Sequence, residues 1–383
     1  MTEPGDLIAY GDTVRCATVR HELPVAIVDP VLYAEHGGRR YALASMLEAD
    51  RLAAVAPDVE QLSPETLGSD ELVADGWPDH EVRLEIAARA IDRIGIERAT
   101  VPGELPVALA ERLRAAGVQL HVDDGPFVDR RRRKTDTQLD GVRRAQAAAD
   151  AAMGAAAELL RSARVADGRA TVAGAELTAE LVRSRLREVC AAFGAPAPAE
   201  IIVASGAQAA EGHEPGHGEI APGGTLIIDI WPQDEASGCF ADMTRTFVVG
   251  EAPEEARAMH ALAREAQVRA VTAIRAGALG ADVFGAACEV FEAAQRPTLR
   301  TKRPGETLHD GFSHGLGHGV GLEIHEPPSL GLERDVRLSA RDVVTVEPGC
   351  YRRGFGGVRV EDLVVVADDG AEVLTRFPYD LTP

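Results

Sequence analysis

The sequence predicts an α+β protein in two parts, a small α/β domain over residues 1–130 followed by a larger domain over 131–383. Three observations carry this. The first 130 residues alternate short apolar runs with amphipathic helical stretches. Five consecutive bases, Arg130–Lys134, then interrupt the pattern. Beyond them, long alanine-rich helical stretches give way to apolar, strand-like runs into which carboxylates intrude. A chain of 383 residues is long enough for two domains of ordinary size.

Taken in order, strands are expected at Val25–Asp29, Tyr41–Ser45, Ala99–Gly103 and Val118–Val122, with helices near 47–55, 82–95 and 105–116. The basic run Arg130–Lys134 (RRRRK) reads as an exposed interdomain linker; a nucleic-acid site is the competing reading. Helices follow at about 137–163, 173–193, 252–276 and 280–295. The third has Pro253 near its start and Gly277 just past its end, where those residues favour helix boundaries.

Composition narrows the functions. The formal charge of −21, from 61 acids against 40 bases, argues against a nucleic-acid or anionic-membrane partner, either of which calls for a basic face. The N-terminal stretch has no basic segment followed by an apolar one, and apolar runs nowhere reach membrane-spanning length, so a cytoplasmic protein is expected. The five cysteines (16, 190, 239, 288 and 350) are scattered without CxxC spacing, as reduced, buried thiols would be.

The stretch SHGLGHGVGLEIHEPP places His314, His318 and His325 among four glycines, a density that removes helix propensity and implies loop or extended chain open to close approach. In GGTLIIDIWP, Asp229 falls inside an apolar run; in FADMTRTFVVG, Asp242 heads another, and a hairpin would bring the two side by side. Glu347 ends a Val-rich run in DVVTVEPGCY, and GGVRVEDLVVV puts Arg359 and Glu361 on one strand face by period-two alternation. Ionised carboxylates in such surroundings need a cation or many donors. Each acid alone fits an ion pair or a solvent-facing strand end, and Glu361 has Arg359 beside it. Jointly, four acids and an imidazole suit a pair of hard or borderline divalent ions better than a thiolate zinc site. Two such ions bridged by hydroxide are an established means of hydrolysing an acyl bond.

The phrases IIDI, DMTRTF, HGLGHGVGLEIHEPP, VEPGCY and GGVRVED, in this order over about 135–383, resemble the pita-bread metallopeptidases: aminopeptidase P, prolidase and methionine aminopeptidase. The N-terminal domain is similar to the creatinase-type domain of the proline-directed members. The resemblance implies a curved antiparallel sheet flanked by helices in 131–383. It also implies a homodimer and cleavage of Xaa-Pro bonds in small peptides with proline in the second position. It implies two divalent ions, Mn²⁺ foremost with Co²⁺, Fe²⁺ or Zn²⁺ as substitutes. Asp229 would hold one ion, Asp242 and Glu361 would bridge, and His318 with Glu347 would hold the other. A metal-bridging hydroxide would attack, with Glu347 carrying its proton to the leaving nitrogen. His325 would contact the scissile carbonyl, His314 would line the proline pocket, and His213 would be a further active-site histidine, with His217 its rival.

The chain departs from the family in reading Asp229-Ile-Trp231 where relatives often have Asp-x-Gly, and Cys239-Phe240 where they often have Tyr. It also lacks the Arg that strict dipeptidases place shortly after the His-Glu phrase, reading His325-Glu326-Pro327-Pro328-Ser329. That absence favours aminopeptidase P-like action on longer peptides. Arg359, or Arg334 folding inward, would instead supply a carboxylate clamp and favour a dipeptidase. A creatinase-like hydrolase without metal and a binding protein with a decayed site are the alternatives from other classes. A nucleotide loop at GLGHGVG lacks the Lys-Ser/Thr that such loops carry.

Overall fold

Residues Leu7–Gly11 (LIAYG) form β1, the central strand of a six-stranded sheet, in a computed structural model that describes residues 5–383. The chain divides into two compact units, Met1–Arg131 and Arg132–Pro383. In the first, β2 (Val31–His36), β3 (Arg39–Leu43), β4 (Val59–Leu62), β5 (Arg98–Val101) and β6 (Gln119–Val122) complete the sheet in the order β4-β3-β2-β1-β5-β6. Pairing is antiparallel through β1-β2-β3 and parallel elsewhere.

Helices cover both faces of this sheet. Ile8 and Tyr10 turn towards α3 (Ser69–Ala74), α4 (Asp79–Ile94) and α5 (Val107–Ala115); Leu7 and Ala9 turn towards α1 (Ala17–Glu22) and α2 (Ala49–Val55). A strand buried on both sides shows no polar alternation, which is why β1 went unread in the sequence. The expected strand at Val25–Asp29 is instead a loop. It lies between Pro24 and Pro30, and its Val25 and Ile27 carbonyls are taken by Thr13. The true strand begins just after, at Val31.

The basic run is not an exposed linker. Helix α6 (Gly125–Arg132) runs through most of it, and its charges are engaged: Arg130 pairs with Glu22 and Glu35, Arg132 with Asp342, and Lys134 with Glu326. Of the five bases, only Arg133 is exposed.

In the second unit a capping box at Thr135 and Gln138 starts α7 (Asp136–Arg161). The expected helix at 173–193 begins only at Ala179. Before it, β7 (Arg164–Ala166), β8 (Arg169–Val172) and β9 (Ala175–Glu176) form a small meander, with positive φ at Asp167, Gly168, Ala173 and Gly174 making its turns. Helix α8 (Ala179–Ala192) then packs with α7 on the antiparallel sheet of β10 (Ile202–Ser205), β11 (Thr225–Ile230) and β12 (Met243–Val248).

Helices α9 (Glu254–Ala273) and α10 (Gly280–Ala293) close a second core over the remaining strands. These are β13 (Asp310–Gly311), β14 (Gly317–Gly319), β15 (Glu326–Leu330), β16 (Val343–Val346), β17 (Gly349–Arg352), β18 (Gly356–Arg359), β19 (Asp362–Val366) and β20 (Ala371–Val373). They form two antiparallel sheets, β13-β17-β18 and β15-β14-β16-β19-β20. All five cysteines are free and four of them are buried. Among the described residues no helix is long and apolar enough to cross a membrane.

Candidate metal centre

The β11–β12 hairpin delivers the first two acids. Asp229 lies opposite Thr244 across the pair, and Asp242 sits one residue before β12, accepting the Met243 N–H at 3.0 Å. The expected single strand through Arg359 and Glu361 is broken: β18 ends at Arg359, β19 begins at Asp362, and the chain changes sheet between them. The Glu361 N–H donates to the Thr244 carbonyl at 3.1 Å, while the Thr244 hydroxyl donates to Glu361 Oε2 at 2.6 Å. Glu361 therefore faces the hairpin acids.

His318 reaches the same point from β14. Its Nδ1–H donates to the Gly319 carbonyl at 3.1 Å, leaving the Nε2 lone pair directed at Asp242 Oδ2 and Glu347 Oε1, each 3.6 Å away. Burial lowers its pKa to about 4, so the ring is neutral. Asp242, His318 and Glu361 each place one ligating atom within 4.8 Å of the others. The glycines beside His318 are required by neighbouring strands rather than by a ligand: a Cβ at Gly317 would run into the Thr345 carbonyl, and one at Gly319 into that of Glu326.

The electrostatics suit a cation. Asp242 and Glu361 are held well above the usual carboxylate range, first by burial and then by the charge of the acids around them. Glu347 is pushed up to about 8, chiefly by burial. One oxygen of Asp229 accepts from Arg359 Nη2 at 2.5 Å, while its buried Oδ1 has no hydrogen-bond partner. An unpartnered buried carboxylate oxygen, a neutral imidazole offering its lone pair and acids that repel one another suit divalent ions bound by oxygen and nitrogen.

Beside the cluster is a cavity of about 310 Å³ lined by His213, His314, His318, Glu347, Tyr351 and Arg359, with small residues between them. His213 faces it; His217 is exposed and pairs with Glu214 at 3.5 Å. His325 stacks edge-on against His318, ring centroids 4.3 Å apart. His314 donates through Nδ1 to the Gly315 carbonyl and accepts the Tyr351 hydroxyl proton at Nε2, while Tyr351 in turn accepts from Arg359 at 3.2 Å. Tyr351 and Thr244 were missed in the sequence. Each lies inside a quoted phrase, VEPGCY or DMTRTF, but neither carries a charge to mark it.

Fold and cluster together define a pita-bread protein with a site suited to divalent metal. The chain belongs to the metallopeptidase family M24, whose model matches residues 140–368. It is 31% identical over 252 residues to the "Probable dipeptidase PepE" of Mycobacterium tuberculosis, covering 65% of this chain and 60% of that one. With the "Xaa-Pro dipeptidase" of Pyrococcus furiosus it shares 36% identity over 190 residues, 49% of this chain and 51% of the relative. The chain thus matches between half and two thirds of these relatives' lengths. The solved "Xaa-Pro dipeptidase from Bacillus anthracis" superposes with a TM-score of 0.79 at 23% identity, covering 98% of this chain and 94% of that one, a likeness that shows the shared fold.

Proposed function

We propose that this chain is a metal-dependent peptidase that cleaves the bond between the first residue of a peptide and a proline in the second position. The observation that carries the reading is the convergence of Asp242, His318 and Glu361 within 4.8 Å, next to a cavity lined by histidines and Glu347. Asp229, Asp242 and Glu361 would hold one ion; Asp242, Glu361, His318 and Glu347 the other. Mn²⁺ suits this oxygen-rich set best, and Co²⁺, Fe²⁺ and Zn²⁺ are substitutes. Bound there, two ions supply Lewis acidity and a water that ionises near neutral pH.

The chain's own groups do the rest. Glu347, half-buried at the cavity wall, takes a proton from the attacking water and returns it to the proline nitrogen as the bond breaks. His325 donates to the scissile carbonyl as negative charge develops on its oxygen. His314, held neutral and oriented by Tyr351, walls the proline ring, and His213 closes the other side. Arg359 is the Lys or Arg among the cavity's described lining residues, and Asp229, Tyr351 and Thr244 hold it. Arg334 is exposed and does not fold inward. With its guanidinium so engaged, the cavity favours peptides that continue beyond proline, the aminopeptidase P-like reading. Dipeptidase action is the second reading, favoured by the names of the relatives at 31% and 36% identity. The proposal includes a homodimer in the cytoplasm.

The test is hydrolysis of Ala-Pro-Ala by the purified protein, with bound metal counted by elemental analysis. Metal-dependent release of alanine supports the reading. Full activity in protein free of divalent metal overturns it in favour of a creatinase-like hydrolase.

A further inference from the structure

Lys134 closes the basic run of the sequence, yet its side chain is only 2% exposed, as is that of its partner Glu326. Two opposite charges buried this completely are seldom retained for stability alone, since apolar side chains of similar size would do as well. Glu326 immediately follows His325. It is the first residue of β15 and sits opposite Gly319, the residue after His318.

The turn between β14 and β15 closes onto this pair. Glu326 Oε2 accepts the Glu323 N–H at 3.4 Å, the Gly321 N–H donates to the Glu323 carbonyl at 3.0 Å, and the Phe240 N–H donates to the Gly321 carbonyl at 2.8 Å. Lys134 and Glu326 press on Gly321 so closely that a Cβ there would lie 2.7 Å from Lys134 Cε and 2.5 Å from Glu326 Oε1. Lys134 is itself anchored, its carbonyl accepting from Arg341 Nε at 2.5 Å, and Arg341 pairs with Asp136 at 2.7 Å. His325, by contrast, is exposed and makes a ring contact with His318 at 4.3 Å. The backbone that carries it and that ring contact are what hold it in place.

We propose that the buried Lys134–Glu326 pair is a positioning device for His325, fixing the Gly321–Glu326 turn so that the imidazole stands against His318 at the edge of the metal cluster. This rests on the reading of His325 as the carbonyl donor. The inward-facing Glu326 and outward-facing His325 are consecutive, so a displacement of one carboxylate is transmitted to the ring through a single peptide unit.

The experiment compares Lys134→Met, Lys134→Met/Glu326→Met and Lys134→Arg, each alone and combined with His325→Ala, in the metal-loaded protein. The double methionine variant removes both charges at similar volume and keeps the protein folded if the single variant does not. The expected result is a kcat lower by roughly 10–100-fold, the scale of a misplaced group, with KM and bound metal unchanged and partial recovery in Lys134→Arg. In the His325→Ala background the same substitutions should cause no further loss. Losses that multiply with that of His325→Ala, or a double methionine variant with full kcat, overturn the proposal. The His325 ring resonances of histidine-labelled apoprotein give a readout independent of activity: they should shift or broaden in the double methionine variant. If they stay put, the device is refuted; if they move while the wild type hydrolyses no Xaa-Pro peptide, the proposed function has failed instead.

Discussion

Arg359 and Asp229 meet in a buried ion pair at 2.5 Å, which makes one guanidinium the counter-charge of a four-acid cluster. The same guanidinium donates to Tyr351 and Thr244, so it joins the acids to the cavity wall. Replacing Arg359 by Met strands the Asp229 carboxylate. The metal-free variant should be less stable than wild type by about 3–5 kcal/mol, the cost of a broken buried pair. Mn²⁺ should restore more stability to the variant than to wild type, because the ion supplies the missing charge. Melting curves with and without Mn²⁺ check this, and equal Mn²⁺ gains in both proteins would refute it.

Chelation should abolish hydrolysis, and Mn²⁺ or Co²⁺ should restore it. The same titration should raise the melting temperature, since an ion bound only by the folded state at a hundred times its Kd adds about 2.7 kcal/mol. Activity and melting temperature should recover over the same range of Mn²⁺ concentration, and recovery of one without the other would separate the cluster from the chemistry.

The two stacked histidines should part company on mutation. His318 aims its lone pair at Asp242 and Glu347, so His318→Ala should lose metal and activity together. His325→Ala should keep its metal and lose roughly 10²–10³-fold in kcat, as expected for one transition-state donor. Elemental analysis of both variants decides whether the roles are assigned the right way round.

Away from the cluster, burial on α9, then the charges of Arg264 and Arg245, lower the His260 pKa to about 4, against the Tyr379 backbone and Asp380, which raise it. Because the folded state binds this proton less readily than the unfolded chain, stability should fall as pH drops from about 6.5 towards 4. After allowance for solvent screening the loss is on the order of 1–2 kcal/mol. His260→Gln should flatten that part of the stability–pH curve by the same amount in urea titrations, and an unchanged slope would show that His260 is not responsible.

What the sequence revealed and what it hid divide along physical lines. Asp229 and Asp242 were legible because a carboxylate inside TLIIDI or ahead of MTRTFV contradicts its surroundings, and the hairpin joining them follows from strand length. Helices α7, α9 and α10 were legible from their periodic apolar faces. Strands β7 and β8 went unread and β9 was absorbed into a helix because the residues of this meander are mostly exposed, which leaves no apolar alternation to read. The break between Arg359 and Glu361 was invisible, since period two runs through a change of sheet without a mark. Lys134 looked like its exposed neighbour Arg133, and only the fold shows that it is buried on Glu326.

Substrate length turns on whether any cation is free to read a proline carboxylate. Strict selection for a free C-terminus needs a charged donor aimed at it, and leaving such a donor unpaired rejects longer or amidated substrates. Here Ser329 stands where a clamping Arg was sought, Arg334 is exposed, and Arg359 already donates to Asp229, Tyr351 and Thr244. Turning Arg359 towards a substrate would leave Asp229 without its counter-charge unless metal replaced it. Ala-Pro-Ala and the amide of Ala-Pro should therefore be cleaved with a kcat/KM within about a hundredfold of that for Ala-Pro. A preference for the free dipeptide beyond that factor, about 2.7 kcal/mol, would mean that a cation reads the carboxylate. Arg359→Lys then identifies it. Loss of that preference with metal content intact would show that Arg359 leaves Asp229 once the site is loaded, and the dipeptidase reading would stand.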